Sequence, residues 1–321
     1  MRKRIFLACL LVFSLQADEA PLEDEIDFPA VEAPWFTGPL ITPSSGVIPL
    51  GHFNFEPYLF AVANTAIYNG DWKPVKMETL WNTYFQPLLQ IGLTPWMDIQ
   101  LVPTLYYNFT HGAANWAFGD FQAELDFQLY QSSGKPTDWG TSLKLALIET
   151  IPSGKYQNLD PNKLFTQVGG AGSWKSALGL VWGNLFYLGK CHFLSTRTSV
   201  QYTYSVPLHV KNFNVYGGSY GTRGKVYPGQ NLQIAHGMEL SLTKNWVLAL
   251  DILAGWSARS RFVGQTLVKN TLNSSFQCSL APAIEYNWNS HLGIILGPWF
   301  TVAGRNSPKF TSAAFALNYY Y

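Results

Sequence analysis

The chain has 321 residues and a formal net charge of +1; 13% of its residues are charged and 16% are aromatic. This composition excludes a disordered chain, and the scattered basic residues argue against nucleic-acid binding. After the leader, no apolar run reaches the roughly 18 residues of a membrane-spanning helix. A membrane β-barrel fits these features, because its apolar residues alternate with polar ones.

The N-terminus predicts export. Residues 2–4 are basic, and an apolar stretch follows them. We therefore predict a signal peptide over residues 1–17, with cleavage after Ala17 or alternatively after Ala20. Cys9 lies inside the apolar stretch and too near the start for lipid attachment. Cys191 and Cys278 are expected to be isolated thiols in the mature protein.

Residues 18–50 form a separate region that is first acidic and then rich in proline. It has no strand periodicity. Three interpretations remain open, namely an extended periplasmic tail, a segment inside the lumen of a barrel and a solvated, disordered leader. The barrel itself is predicted over residues 51–321.

Residues 97–109 show the strand pattern most clearly. Their odd positions are apolar and their even positions are mostly polar, which is typical of a strand with one apolar and one wet face. Thirteen such residues exceed the five or six of an ordinary strand and approach the roughly 9 to 11 that cross a bilayer. Residues 121–130 repeat the pattern and form a hairpin with them.

The same alternation recurs along the chain and predicts an all-β fold, a transmembrane antiparallel up-and-down barrel of about twelve strands. Short connections alternate with long ones, as periplasmic turns alternate with surface loops in outer-membrane barrels. The long connections are 151–173, 207–228 and 258–271. The predicted strands are 52–63, 78–92, 97–109, 117–130, 140–150, 174–187, 192–206, 229–243, 246–257, 272–286, 291–303 and 309–321.

Strand parity places a set of polar side chains inside. A barrel of this size should leave a narrow channel, constricted by these side chains or by the N-terminal region. An acid-rich lining would favour cations. The alternative is that the charges pair and fill a non-conducting interior. The residues predicted to line the channel are Asp98, Gln100, Gln122, Glu124, Asp126, Gln128, Lys144, Lys175, Arg197, Glu239, Asp251 and Glu285.

His236 departs from the outward apolar pattern, because it shares parity with apolar neighbours. Either it faces lipid or a bulge near Gly237 shifts the register. The last strand ends in aromatic residues, and Phe315, Tyr319 and Tyr321 resemble the signal that the barrel-insertion machinery reads.

Basic residues gather in the predicted surface loops. They would contact the phosphates of lipopolysaccharide, or they form an ordinary solvated surface. These residues are Lys155, Lys163, Lys211, Arg223, Lys225, Arg259 and Arg261.

The sequence offers little for catalysis. The six histidines show no metal-binding spacing, and the glycine-rich stretch at 169–176 only superficially resembles a phosphate loop. We expect no catalytic residue, metal or cofactor.

Three features together suggest a family. They are the proline-rich leader before Gly51–Phe60 (GHFNFEPYLF), the loop motif Ile151–Tyr156 (IPSGKY) and the aromatic C-terminus. They resemble the meta-pathway phenol-degradation-like outer-membrane proteins. The resemblance implies a barrel that passes small molecules, including hydrophobic or aromatic ones.

We therefore predict a channel in the bacterial outer membrane that passes small solutes by diffusion through a polar lumen. A barrel enzyme, such as a phospholipase or protease, is a second hypothesis. A surface adhesin or structural barrel acting through its long loops is a third.

Overall fold

The structure, a computed structural model, describes residues 34–132, 140–189, 192–266 and 273–321. Within these ranges it is an antiparallel β-barrel with seventeen strand segments. The segments are β1 (Phe53–Tyr68), β2 (Pro74–Thr94), β3 (Met97–Val102), β4 (Leu105–Thr110), β5 (Ala113–Phe118), β6 (Phe121–Gln131), β7 (Gly140–Ile151), β8 (Lys175–Gly189), β9 (His192–Ser205), β10 (Leu208–Lys211), β11 (Arg223–Tyr227), β12 (Asn231–Ser241), β13 (Trp246–Ser257), β14 (Arg261–Gln265), β15 (Ser275–Asn287), β16 (Leu292–Arg305) and β17 (Ser307–Tyr320).

Twelve strands build the wall. β3 and β4 form one of them, β5 and β6 form another, and β10, β11 and β14 lie outside the wall. Each wall strand pairs with its neighbours in sequence, and β1 closes the barrel by pairing with both β2 and β17. The prediction of a twelve-stranded antiparallel barrel is confirmed.

The outer face of the wall is apolar, as the alternation predicts. On β8, Leu178, Leu180 and Trp182 are exposed, whereas Gly179 and Val181 between them point inward. A side-chain period of two puts one set of residues on each face. The exposed apolar set suits a lipid environment.

Two wall strands that were predicted to be continuous are interrupted. The strand expected over 97–109 is interrupted at Pro103 and Thr104, where proline cannot donate a ladder hydrogen bond. The strand expected from residue 117 begins at Ala113 and is interrupted at Gly119 and Asp120. Residues 113–116, expected in a loop, therefore belong to the wall.

His236 lies on the outward set of β12. This strand pairs with β9 and β13 without a register shift, so there is no bulge at Gly237. Nδ1 of His236 lies 2.9 Å from Oγ1 of Thr198, which gives the outward-facing ring a hydrogen-bond partner.

Long connections at one end of the barrel form a structured loop cap, which comprises residues 152–174, 206–230 and 258–266. Within it β10, β11 and β14 make a three-stranded sheet, although these positions were expected to be loop. Leu208, Val210 and Val226 form its buried core. We call this end of the barrel the loop end and the opposite end, with the short turns at 95–96 and 242–245, the turn end.

Several predictions concern residues outside the described ranges. They are the signal peptide over 1–17 with both cleavage positions, Cys9, the acidic part of the region 18–50 and Cys191. Among the described residues, Cys278 is a free thiol. No helix in the described part of the chain is long and apolar enough to span a membrane.

Candidate functional site

Residues 34–50, here called the inner segment, lie inside the barrel. The segment has prolines and no strand pairing, so its backbone N–H groups need other acceptors. Asp251 of β13 supplies one set: its carboxylate accepts hydrogen bonds from the backbone nitrogens of Ile41 and Thr42 at 3.1 and 2.9 Å. The hydroxyl of Thr42 donates to the same carboxylate at 2.5 Å. Charged acceptors make such bonds stronger than neutral ones.

Other wall residues bind the inner segment in the same way. Glu285 accepts from the backbone nitrogen and the hydroxyl of Thr37 at 3.0 and 2.7 Å. Further backbone N–H groups of the segment donate in the same way, from Gly38 to Glu239 (3.0 Å), from Val47 to Gln128 (2.9 Å) and from Ile48 to Asp98 (2.6 Å). Four of the carboxylates that parity placed inside, those of Asp98, Glu239, Asp251 and Glu285, thus bind the protein's own backbone.

The inner segment enters and leaves the barrel at the same end. Trp35 donates its backbone N–H to the carbonyl of Lys244, in a turn at the turn end. The segment reaches its deepest described contacts near Asp251. It then returns, and Pro49 accepts the backbone N–H of His52 just before β1 begins. The segment therefore fills the turn-end part of the lumen as a loop.

Small wall residues and apolar packing seat the segment. A Cβ on Gly92 would lie 1.9 Å from the carbonyl oxygen of Pro49, and one on Gly237 would lie 2.6 Å from Pro39. Leu40 is 1% exposed and packs in a cluster that includes Phe60. The absence of side chains at the two glycines is what lets the backbone of the segment approach the wall.

The interior also contains buried ion pairs. Nζ of Lys144 lies 2.7 Å from Asp126 and 4.0 Å from Glu124, and the Lys144 side chain is fully buried. Arg197 lies 2.7 Å from Glu239. Part of the interior thus has the paired charges expected of a filled barrel.

The structure shows two cavities inside the described part of the barrel. The larger, here called the vestibule, has a volume of about 860 Å³ and lies at the loop end, where it is bordered by Ala171, Tyr216 and Pro228 of the loop cap. The second, here called the inner cavity, has a volume of about 520 Å³ and runs beside the inner segment. Gln122, Gln201 and Gln233 line both, so the cavities adjoin.

The twelve residues predicted to line a channel divide into two groups. Five line the cavities, namely Gln100, Gln122, Glu124, Lys175 and Arg197. The other seven hold the inner segment, pair with other charges or do both, namely Asp98, Asp126, Gln128, Lys144, Glu239, Asp251 and Glu285. The prediction that the set lines a conducting channel stays a prediction.

Sequence reasoning missed several cavity residues. Gln201 and Gln233 share parity with Arg197 and Glu239, so the same rule could have found them. Tyr58, Tyr84 and Trp299 also line the inner cavity. Aromatic residues suit either face of a barrel, so only the register settles their direction.

The loop that contains the motif IPSGKY packs against the barrel wall. Asp120, at the break between β5 and β6, accepts the backbone N–H of Gly154 at 3.0 Å and that of Ala171 at 2.8 Å. Ser153 donates to the carbonyl of Gly119 at 2.8 Å. The glycine-rich stretch around Ala171 is therefore packed against a carboxylate and does not form a phosphate loop.

The basic loop residues lie in the loop cap. Lys225 and Arg261 both lie over the ring of Tyr227, at 5.2 and 4.4 Å from its centroid. Lys155 donates to Gln167 at 2.8 Å. Phe315, Tyr319 and Tyr321 are exposed on or just after β17. Their contacts with lipopolysaccharide and with the insertion machinery stay predictions.

Comparisons with known proteins address the fold. A scan against protein-family models and a search of curated proteins found no match. Among solved structures, an outer membrane channel from Pseudomonas putida F1 is similar with a TM-score of 0.67 and 12% identity, over 88% of this chain and 100% of that chain. The translocator domain of the autotransporter NalP from Neisseria meningitidis has a TM-score of 0.45 and 10% identity, over 87% and 90%. The NanC porin has a TM-score of 0.43 and 7% identity, over 83% and 98%.

The similarity to the Pseudomonas channel extends over the whole length of that chain. At this identity it establishes architecture. The fold of the protein is that of an outer-membrane β-barrel, and its apolar outer face agrees with a location in a bacterial outer membrane.

Proposed function

We propose that the protein is an outer-membrane channel that passes small solutes by diffusion. The observation that carries this proposal is the pair of adjoining cavities inside a closed barrel. Their shared border of three glutamines is uncharged and polar, so a solute crossing it meets hydrogen-bonding groups and no fixed charge. Barrels of intermediate size leave room for such a passage.

The inner segment constricts this channel. It occupies the turn-end part of the lumen and is held by carboxylates of β3, β12, β13 and β15. The inner cavity runs beside the segment and does not pass through it. Flux should therefore be low with the segment seated and high when it is displaced.

The lining of the inner cavity supports hydrophobic or aromatic solutes as one substrate class. Phe60 stacks on Tyr84 at a centroid distance of 4.7 Å, and Trp299 lies edge-on to Phe60 at 6.1 Å. Aromatic surfaces bind apolar rings well. This agrees with the sequence resemblance to phenol-degradation-like proteins, and membership of that family is part of the proposal.

Two further partners are part of the proposal, lipopolysaccharide and the barrel-insertion machinery. The cations of the loop cap would contact lipopolysaccharide phosphates, and the aromatic end of β17 would be read by the insertion machinery. Each is open to test, by lipopolysaccharide retention of loop-cap variants and by assembly of chains with Phe315 and Tyr319 replaced by alanine.

Conductance in planar bilayers tests the proposed function. Purified full-length protein should give small unit currents, and a chain lacking residues 34–50 should give larger ones. Heat-modifiable migration on gels must first show that both proteins are folded barrels. The absence of current from both folded proteins would overturn the proposal, and hydrolysis of phospholipid or peptide would favour an enzyme.

A further inference from the structure

Lysine and arginine outnumber the acidic side chains in the described part of the loop cap. The described part of the loop cap contains seven basic side chains, Lys155, Lys163, Lys211, Arg223, Lys225, Arg259 and Arg261, and one acidic side chain, Asp160. None of these seven lines the vestibule itself, and Arg259 is next in sequence to Ala258 and Ser260, which both line it. A cleft lined by one sign of charge concentrates ions of the opposite sign.

The vestibule itself has one charged lining residue in the described chain, Lys175 of β8. No hydrogen bond or ion pair joins its Nζ to any described residue. The rest of the polar lining consists of amides and hydroxyls, including Gln122, Gln201, Thr203 and Asn231. An ammonium group surrounded by neutral donors and acceptors is a suitable partner for a small anion.

Three acidic side chains at the loop end, Asp71, Asp120 and Glu149, do not line the vestibule. Asp120 accepts hydrogen bonds from Gly154 and Ala171, and Glu149 accepts them from Trp174 and Ser176. The acidic side chains deeper in the barrel are engaged elsewhere. Asp98, Asp126, Glu239, Asp251 and Glu285 are each 0% exposed, because they bind the inner segment or a basic partner. Glu56 and Glu124 border the inner cavity, where Glu56 accepts from Asn318 and Glu124 lies 4.0 Å from Lys144. The vestibule therefore lacks the acid-rich lining from which the sequence predicted a preference for cations.

We propose that the vestibule recruits small organic anions, with Lys175 as the residue that binds them at the entrance and the loop cap as the electrostatic funnel. The inference rests on the proposed channel function and names its substrate class. An aromatic carboxylate is one such anion, because the rings of the inner cavity could then receive its apolar part.

Thiol modification tests the proposal without requiring current. Thr203 lines the vestibule and is the diagonal neighbour of Lys175 across the β8–β9 pair, roughly 7–8 Å away. In a chain with serine at positions 191 and 278, Thr203→Cys is treated with anionic and cationic methanethiosulfonate reagents of similar size. The protein is in detergent without lipopolysaccharide.

We expect the anionic reagent to react faster. K175Q should lower the ratio of anionic to cationic rates about fivefold and K175E about thirtyfold, from the interaction of unit charges roughly 8 Å apart in water-like surroundings. K175R should retain the original ratio. K309Q removes a cation from the outward set of β17 and should leave the ratio unchanged.

A ratio that K175E does not change, or changes no more than K309E does, would overturn the proposal. Reversal potentials in a salt gradient supply a second readout, since K175E should shift the wild-type value toward cation preference. If the K175E protein folds and conducts but its reversal potential does not shift, the anion proposal is overturned and the channel proposal stands. If the barrel never conducts but shows the expected ratios of thiol reaction rates, the channel proposal is overturned and the anion site stands.

Discussion

Asp251 and Thr42 are separated by 209 positions in the sequence and joined by two hydrogen bonds inside the barrel. One comes from the Thr42 backbone and the other from its hydroxyl. The pair shows how this barrel uses its interior acids: they act as acceptors for a segment that cannot form sheet hydrogen bonds. Each such bond to a charged group contributes about 1.5–3 kcal/mol.

Asp251→Ala should loosen the inner segment. The substitution removes three hydrogen bonds, those from the Ile41 and Thr42 backbones and from the Thr42 hydroxyl, and leaves two backbone N–H groups unpaired. We expect faster hydrogen exchange at Ile41 and Thr42, easier proteolysis of the segment and a higher conductance. D251N keeps one acceptor and should give an intermediate result. D71A, in an exposed loop, is the control. Unchanged exchange in D251A would contradict the anchoring role.

Deletion of residues 34–50 should enlarge the conductance severalfold and move ion selectivity toward cations. The reason is that Asp98, Asp251 and Glu285 lose the hydrogen bonds from the segment and then face water in the lumen, where their negative charges attract cations. Glu239 loses its bond from Gly38 and keeps its ion pair with Arg197. Single-channel recording and reversal potentials measure both effects. If the deleted protein folds and its selectivity matches that of the full chain, these carboxylates do not face the pathway.

Lys144→Met should destabilise the barrel by about 3–5 kcal/mol, because Asp126 and Glu124 would be left as buried charges without their cation. Unfolding by guanidinium in detergent, followed by tryptophan fluorescence, gives the change. The triple variant K144M/D126N/E124Q should recover much of the loss. K309M on the outer face should stay within about 0.5 kcal/mol of wild type. Equal stability of K144M and wild type would show that the pair is not needed.

Alkaline pH should loosen the loop cap through Tyr216. Its hydroxyl donates to the carbonyl of Ala171 at 2.9 Å. Burial, followed by the charges of Asp120 and Tyr156, raises the pKa of Tyr216 from 10.0 to about 12. A detached cap would ionise this phenol near pH 10, so the closed cap loses stability as pH rises from about 10 to about 12. Hydrogen exchange of cap amides should show the loss in this window, and Y216F should flatten it.

The wall could be predicted because a two-residue period is a local property. The outward set of Leu178, Leu180 and Trp182 and the inward position of Asp251 both follow from counting alternate residues along one strand. The same count places His236 on the outward face, as the structure has it, although the sequence alone could not exclude a bulge there. The break at Pro103 has a local cause, the missing N–H of proline. The break at Gly119 and Asp120 accompanies the docking of a loop on the wall, which periodicity does not record.

The inner segment and the loop cap could not be predicted in the same way. Residues 34–50 have no period, and their position depends on acceptors such as Glu285 that lie more than 200 positions away. The strands β10, β11 and β14 are four or five residues long. Such lengths are too short for an alternation to stand out from chance. Parity predicted which polar side chains face inward, whereas the partner of each carboxylate could be identified only from the three-dimensional fold.

The course of the inner segment has a mechanical consequence. Since it is a loop whose two ends both emerge beside the short turns, it can slide out and back without any free terminus being drawn through the cylinder. A pull on the chain ahead of Trp35 would break the contacts one after another, first at Trp35, then at Thr37 and Gly38, and then at Thr42. The channel would then open by the stepwise and reversible loss of these hydrogen bonds, under a force applied from the turn end only.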